Sequence, residues 1–185
     1  LSADYDQPSN AFEKKFFDEI EHFAFYGALN AACIANEEKN ISTLVADGNY
    51  KAVVANLLEA KGLNYGMLPK GLLLFHSYPQ KGRTAMEEHL AEGAMYAKNH
   101  AGEVNIHFTV SPEHKALFEQ LVAAKSDEYE EKFSVRYDIS FSVQKSSTDT
   151  VAAGMDNQPF RDKNGNLLFR PGGHGALIEN LNDVD

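Results

Sequence analysis

Residues 102–144 read GEVNIHFTVSPEHKALFEQLVAAKSDEYEEKFSVRYDISFSVQ. The opening GEVNIHFTVS alternates apolar and polar side chains and is rich in β-branched residues, which is the pattern of a strand. Ser111 and Pro112 follow as a helix cap and a first helical residue. The segment from there through Lys125 reads as a helix, and the acidic KSDEYEEK as a second helical stretch. SVRYDISFSVQ is then a second strand. Strands separated by amphipathic helices predict β-α-β units, so the fold class is α/β with a mostly parallel sheet.

Working outward, TAMEEHLAEGAMYAKN carries Thr84 and Glu87 in capping-box register and predicts a helix of about four turns ahead of the first strand. Upstream, GLNYGMLPKGLLLFHSYPQKGR holds four glycines and two prolines around one apolar run, a loop–extended–loop pattern. Residues 11–58 place Phe12, Phe16, Ile20, Phe23, Leu29 and Cys33, and later Val53, Val54, Leu57 and Leu58, at helical spacing. Gly27 is the expected break and Gly62 the expected stop. Residues 1–61 therefore read as a helical segment preceding an α/β domain over 62–185. Downstream, PFRDKNGNLLFRP predicts a β-hairpin turning at Asn164-Gly165, and GALIENLND a closing helix.

The net charge of −10 argues against nucleic acid as a partner. The acidity is uneven: residues 1–60 carry 4 basic and 10 acidic side chains, whereas residues 61–110 carry 5 and 4. Lys70, Lys81 and Arg83 sit in that less acidic segment, the most favourable place for a small anion. No apolar run approaches the roughly 18 residues a membrane span needs. The opening LSADYDQPSN has neither a signal peptide's regions nor an initiator Met, so cytoplasm and a processed or excised piece are expected. The single Cys33 lies in a helical pattern and reads as a buried thiol.

Three constellations can carry chemistry. In MLPKGLLLF, Pro69 and Gly71 flank Lys70, either as a fixed point charge for phosphate or as a solvated turn lysine. In RPGGHGALIENL, Gly172, Gly173 and Gly175 allow backbone to pass close to a base or phosphate. There His174 can donate to a phosphate or sugar oxygen and Arg170 can pair with an anion; the plain alternative is a tight turn with an exposed histidine. In SVQKSSTDTV, Gln144 at a strand end offers an amide donor and acceptor to a base edge, or simply begins a polar loop. His100, His107 and His114 recur every seven residues but fall on loop, strand and helix cap, so no metal site is expected from them. No G-x-S-x-G elbow is present.

In order, LPKGLL, RTAMEEHL, VNIHFTVSPEH, ISFSVQ and RPGGHGALIENL resemble the core of UDP-sugar pyrophosphorylases. More closely they resemble an uncharacterised bacterial domain-of-unknown-function family distantly similar to those enzymes. The resemblance covers about residues 62–185 and rests most on the histidine-glycine loop. It implies a Rossmann-like sheet binding a nucleoside triphosphate, UTP above all, and a sugar 1-phosphate, with Mg²⁺ assisting in-line attack and pyrophosphate release. It implies Lys70 and His174 as catalytic residues, with His174 close to the phosphates or sugar. It implies Gln144 at the uracil edge, Gly173 and Gly175 against the base, and Gly172, Arg170 and Arg83 among the substrate-binding residues. The enzymes' G-G-x-G-T-R loop has no match here. Their acidic metal ligand falls on a strand beyond Asp185, so the ligand is expected outside this chain and the isolated chain is expected to be inactive. A non-catalytic nucleotide- or sugar-phosphate-binding module, and a self-associating or protein-binding helical surface built on the phenylalanines, are the alternatives.

Overall fold

The computed structural model describes residues 7–79 and 81–184, so the opening residues read above for a leader fall largely outside it. The chain divides into two units, Leu1–Glu92 and Gly93–Asp185. The change of character at residue 62 falls inside the first of these.

In the first unit four helices run in succession: α1 (Ala11–Asp18), α2 (Tyr26–Glu37), α3 (Ile41–Ala46) and α4 (Tyr50–Leu58). Three of them begin on an asparagine whose carbonyl takes an orphan backbone N–H. Asn10 accepts from Glu13 at 3.0 Å, Asn40 from Thr43 at 2.8 Å and Asn49 from Ala52 at 3.3 Å. Each such cap stabilises its helix by about 1 kcal/mol. The apolar faces meet in a core of Phe17, Ile20, Leu29, Cys33, Ile41, Leu44, Val53, Val54 and Leu57. The break expected at Gly27 comes earlier, because Gly27 lies inside α2. The chain bends through a single turn at Ile20–His22 and an extended Phe23. Phe23 stacks on Phe25 with ring centres 5.1 Å apart and lies 5.4 Å from Phe16, so aromatic packing sets the bend.

Asn56 is wholly buried yet satisfied. Its Nδ2 donates to Glu37 Oε1 (3.0 Å) and Ala52 O (2.9 Å), and its Oδ1 accepts from Asn36 Nδ2 (2.7 Å). Lys61 closes the group on Glu37 at 3.0 Å, and its hydrogen bond holds that carboxyl below its ordinary range. The chain leaves α4 by folding Gly62 directly onto the Asn56 carbonyl. A Cβ at Gly62 would lie 1.9 Å from that oxygen, so the glycine serves close approach rather than a left-handed turn. The unit continues with an antiparallel pair, β1 (Leu74–Ser77) and β2 (Gly82–Thr84), and enters α5 (Ala85–Tyr96) through the expected capping box. Thr84 N donates to Glu87 Oε2 at 2.9 Å and Glu87 N to Thr84 Oγ1 at 3.2 Å.

The second unit is built on β3 (Glu103–Val110), α6 (Lys115–Phe133) and β4 (Arg136–Val143), the β-α-β segment read from sequence. β3 and β4 pair in parallel, from Glu103 opposite Arg136 to Val110 opposite Val143. Alternation puts Val104, Ile106, Phe108 and Val110 on one face with Tyr137, Ile139, Phe141 and Val143. The other face is polar throughout: Glu103, Asn105, His107, Thr109, Arg136, Asp138, Ser140 and Ser142. On it His107 bridges two serines, Nδ1 to Ser140 Oγ at 2.8 Å and Nε2 to Ser142 Oγ at 2.9 Å. Ser111 and Pro112 open a single turn ahead of α6, and the two helical stretches read separately form one helix of 19 residues. At its end Glu130 Oε1 accepts from Tyr137 N (2.7 Å), fixing the entry to β4. Burial, with the Glu130 charge adding to it, pushes the Tyr137 hydroxyl up to about 12.

After β4 come β5 (Thr150–Val151), which pairs antiparallel with β6 (Phe169–Arg170), and α7 (Ile178–Leu181). The expected turn is present: Asp162 N donates to Asn166 O and Gly165 N to Asp162 O, both at 2.9 Å, with Gly165 at φ +83°. The molecule is thus α/β, but the mostly parallel sheet is not what forms. Among the described residues the strands make three separate pairs, of which β3–β4 alone is parallel. The other strands are two to four residues long, too short to extend that pair. No helix among the described residues is long and apolar enough to cross a membrane.

Candidate functional site

The C-terminal end of β4 is where the second unit gathers its polar groups. Gln144 continues the ladder through its own N–H, which donates to Val110 O at 3.2 Å. Its side chain turns to the histidine-glycine loop and donates from Nε2 to Gly172 O at 3.1 Å. Lys145, the next residue, reaches α7: Nζ donates to Glu179 O at 2.8 Å and pairs with Asp183 Oδ2 at 2.6 Å. Asn180 returns the contact from α7, its Nδ2 donating to Ser142 Oγ (3.0 Å) and Val143 O (2.9 Å). Four side-chain bonds and an ion pair therefore staple residues 172–183 onto the strand end. Asn180 is 3% exposed, and its Oδ1 is buried without a hydrogen-bond partner. That orphan acceptor costs stability.

Two sequence-predicted groups, Gln144 and the Gly172 loop, are thus in direct contact although 28 residues apart. The three glycines of the loop differ. A Cβ at Gly172 would meet Thr148 O at 2.6 Å and Ala176 Cβ at 2.8 Å, so this glycine permits packing. A Cβ at Gly173 or Gly175 would meet nothing within 4 Å. Neither has a positive φ, and Gly173 is extended at φ −72°, ψ −168°. Between them His174 is exposed, and its imidazole makes no hydrogen bond among the described residues. Arg170 is exposed at the end of β6, just before the loop.

Lys70 and Arg83 belong to the first unit. Lys70 is exposed and opens a single turn after Pro69, whose φ of −70° and ψ of 153° set the approach. Arg83 is largely buried: its guanidinium lies 3.9 Å from the Tyr78 ring centre and 3.4 Å from Glu88 Oε2. His76 Nδ1 is 3.2 Å from the other Glu88 oxygen. Arg83 thereby holds the β1–β2 hairpin to α5, a task its position in a basic stretch did not reveal. Lys145 and Asn180 were not singled out either, although an amide inside the apolar run ALIENL was a usable signal.

Cys33 is fully buried, as its helical spacing implied, and burial pushes its thiol up to about 11. Among the described residues no group of three or more His, Cys, Asp or Glu side chains is placed to hold a metal ion.

No curated protein and no solved structure matches the chain. A family model described as a domain of unknown function, DUF4301, matches residues 1–185. The two units and the stapled loop at the end of β4 are accordingly features of a member of the DUF4301 family.

Proposed function

We propose that this protein binds a nucleotide, with UTP or a UDP-sugar as the first candidate, over the histidine-glycine loop of a Rossmann-like unit. One observation carries the reading: Gly173 and Gly175 are glycines that neither packing nor backbone conformation requires. A side chain at either would project into open space, the space a base or sugar would need. The loop is held at the C-terminal end of a parallel strand, where α/β proteins bind ligands. His174 supplies an imidazole that makes no hydrogen bond among the described residues. The Gln144 donor is engaged by Gly172, which leaves its carbonyl oxygen to accept from the N–H of a base.

In the catalytic form of the proposal, His174 meets the phosphates while a sugar 1-phosphate attacks the α-phosphorus. Such a reaction depends on positioning and charge neutralisation more than on covalent help from protein. Among the described residues no group of three or more His, Cys, Asp or Glu side chains is placed to hold the Mg²⁺ such a reaction would use. A second reading, binding without chemistry, is favoured by Lys145: the cation beside the loop is committed to Glu179 and Asp183 rather than open to a phosphate. Calorimetric titration with UTP and UDP-glucose tests both readings, and absence of binding to either ligand removes both. Pyrophosphate release from UTP with a panel of sugar 1-phosphates, assayed in the longest natural polypeptide containing this chain, separates them. Replacing His174 with Ala should weaken binding by the ~1.5–3 kcal/mol of a charge-assisted hydrogen bond.

A further inference from the structure

The hairpin between β5 and β6 carries a groove whose lining includes neither Gln144 nor the glycines of the loop. It has a volume of about 470 Å³ and is lined by Ala152, Ala153, Gly154, Met155, Phe160 and Leu168, with Arg170 beside them. Its floor is fixed by a closed ring of backbone hydrogen bonds. Ala152 N donates to Leu168 O (2.8 Å), Leu168 N to Phe160 O (3.0 Å) and Phe160 N to Ala152 O (2.7 Å). Three chain segments are locked side by side, and the apolar side chains above them remain open: Phe160 is 49% exposed and Met155 fully so. The volume lies within the roughly 300–1,000 Å³ of small-molecule sites.

Arg170 decides what such a groove would take. Arg83 is held by Glu88, Arg136 by Glu103 and Arg161 by Gly165 O at 2.8 Å. Arg170 alone of the four makes no side-chain hydrogen bond or ion pair among the described residues. The hairpin, residues 150–170, also carries three basic side chains against two acidic in an otherwise acidic chain. A guanidinium without a partner beside a preformed apolar floor matches an anion with an apolar body, its phosphate or carboxylate on the fork of Arg170 and its ring on Phe160 and Leu168.

We propose that this groove is a binding site for a small aryl or alkyl anion, a second site apart from the nucleotide loop. The test uses phenyl phosphate as probe on the full chain, followed through backbone amide shifts in ¹H–¹⁵N spectra. Saturable shifts at residues 152–154 and 168 are expected, with phenol and inorganic phosphate each binding at least tenfold more weakly. Arg170→Gln should lower the affinity at least tenfold, Arg170→Lys less. Ala153→Leu should block the groove, with the rest of each spectrum unchanged. Arg161→Gln, which removes a like charge at the hairpin tip, should leave the titration as it was. Equal binding of phenyl phosphate by the wild type and the Arg170→Gln variant would overturn the proposal. So would inorganic phosphate binding as well as phenyl phosphate, or shifts that survive Ala153→Leu.

Discussion

Replacing the three loop glycines one at a time with alanine separates what the fold needs from what a ligand needs. At Gly172 the new methyl would sit 2.6 Å from Thr148 O and 2.8 Å from Ala176 Cβ, against an ordinary contact of at least 3.4 Å. The loop must therefore move by most of an ångström, which costs ~1–3 kcal/mol in a packed region. The move also threatens the 3.1 Å bond from Gln144 Nε2 to Gly172 O, worth ~0.5–1.5 kcal/mol. A loss of about 2–4 kcal/mol is expected for Gly172→Ala. At Gly173 and Gly175 the methyl meets nothing and the backbone already suits any residue. Stability there should be unchanged, or raised by up to ~1 kcal/mol through a less flexible unfolded chain. Binding should move the other way. A methyl raised from the loop holds a stacked base off the backbone, and a tenfold loss of UTP affinity, ~1.4 kcal/mol, is the least expected at either position. Urea denaturation followed by circular dichroism gives the first quantity and calorimetry the second. UTP affinity equal to wild type in both Gly173→Ala and Gly175→Ala would refute the reasoning, since those glycines would then serve neither fold nor ligand.

Two further predictions concern the first unit. Gly62→Ala drives a methyl to within 1.9 Å of the Asn56 carbonyl, so the chain must detach from α4 and lose the 2.7 Å bond from Leu63 N to Asn56 O. Destabilisation of ~3 kcal/mol or more is expected in urea denaturation, and less than ~1 would show that the close approach is not kept in solution. Glu37 and Cys33 predict opposite pH dependences. The Glu37 carboxyl is held below the ordinary carboxylate range, chiefly by its hydrogen bond from Lys61, so its contribution is present above that range and is lost as pH falls through the lower folded value. Burial raises the Cys33 thiol from 9.0 to about 11, so the unfolded chain releases its proton first and stability falls as pH rises from about 9 toward 11. A Cys33→Ala variant whose alkaline loss is as steep as wild type would contradict the assignment.

How far this molecule could be read in advance depended on whether the signal was local. The segment of residues 102–144 announced its strands and helix because alternation, a cap and helical spacing are each written within a dozen residues, and β3, α6 and β4 stand there. The Thr84–Glu87 capping box was legible for the same reason. How strands combine was not, because pairing is settled by partners far apart along the chain: the same β-rich reading that found β3 and β4 also suggested a broad sheet, and the molecule makes short separate pairs. Glycine shows the limit most clearly. Gly62 and Gly172 look like turn residues in sequence, yet both are explained by a carbonyl oxygen contributed from elsewhere in the chain, Asn56 in one case and Thr148 in the other. Gly27 looks like a break and lies within a helix, because the bend was taken over by the rings of Phe16, Phe23 and Phe25. Once such long-range causes are assigned, what remains unexplained by the fold is informative. Gly173, Gly175 and Arg170, whose side chain has no partner among the described residues, are three such residues within six positions, and the physical reason for them must be sought in something the polypeptide meets.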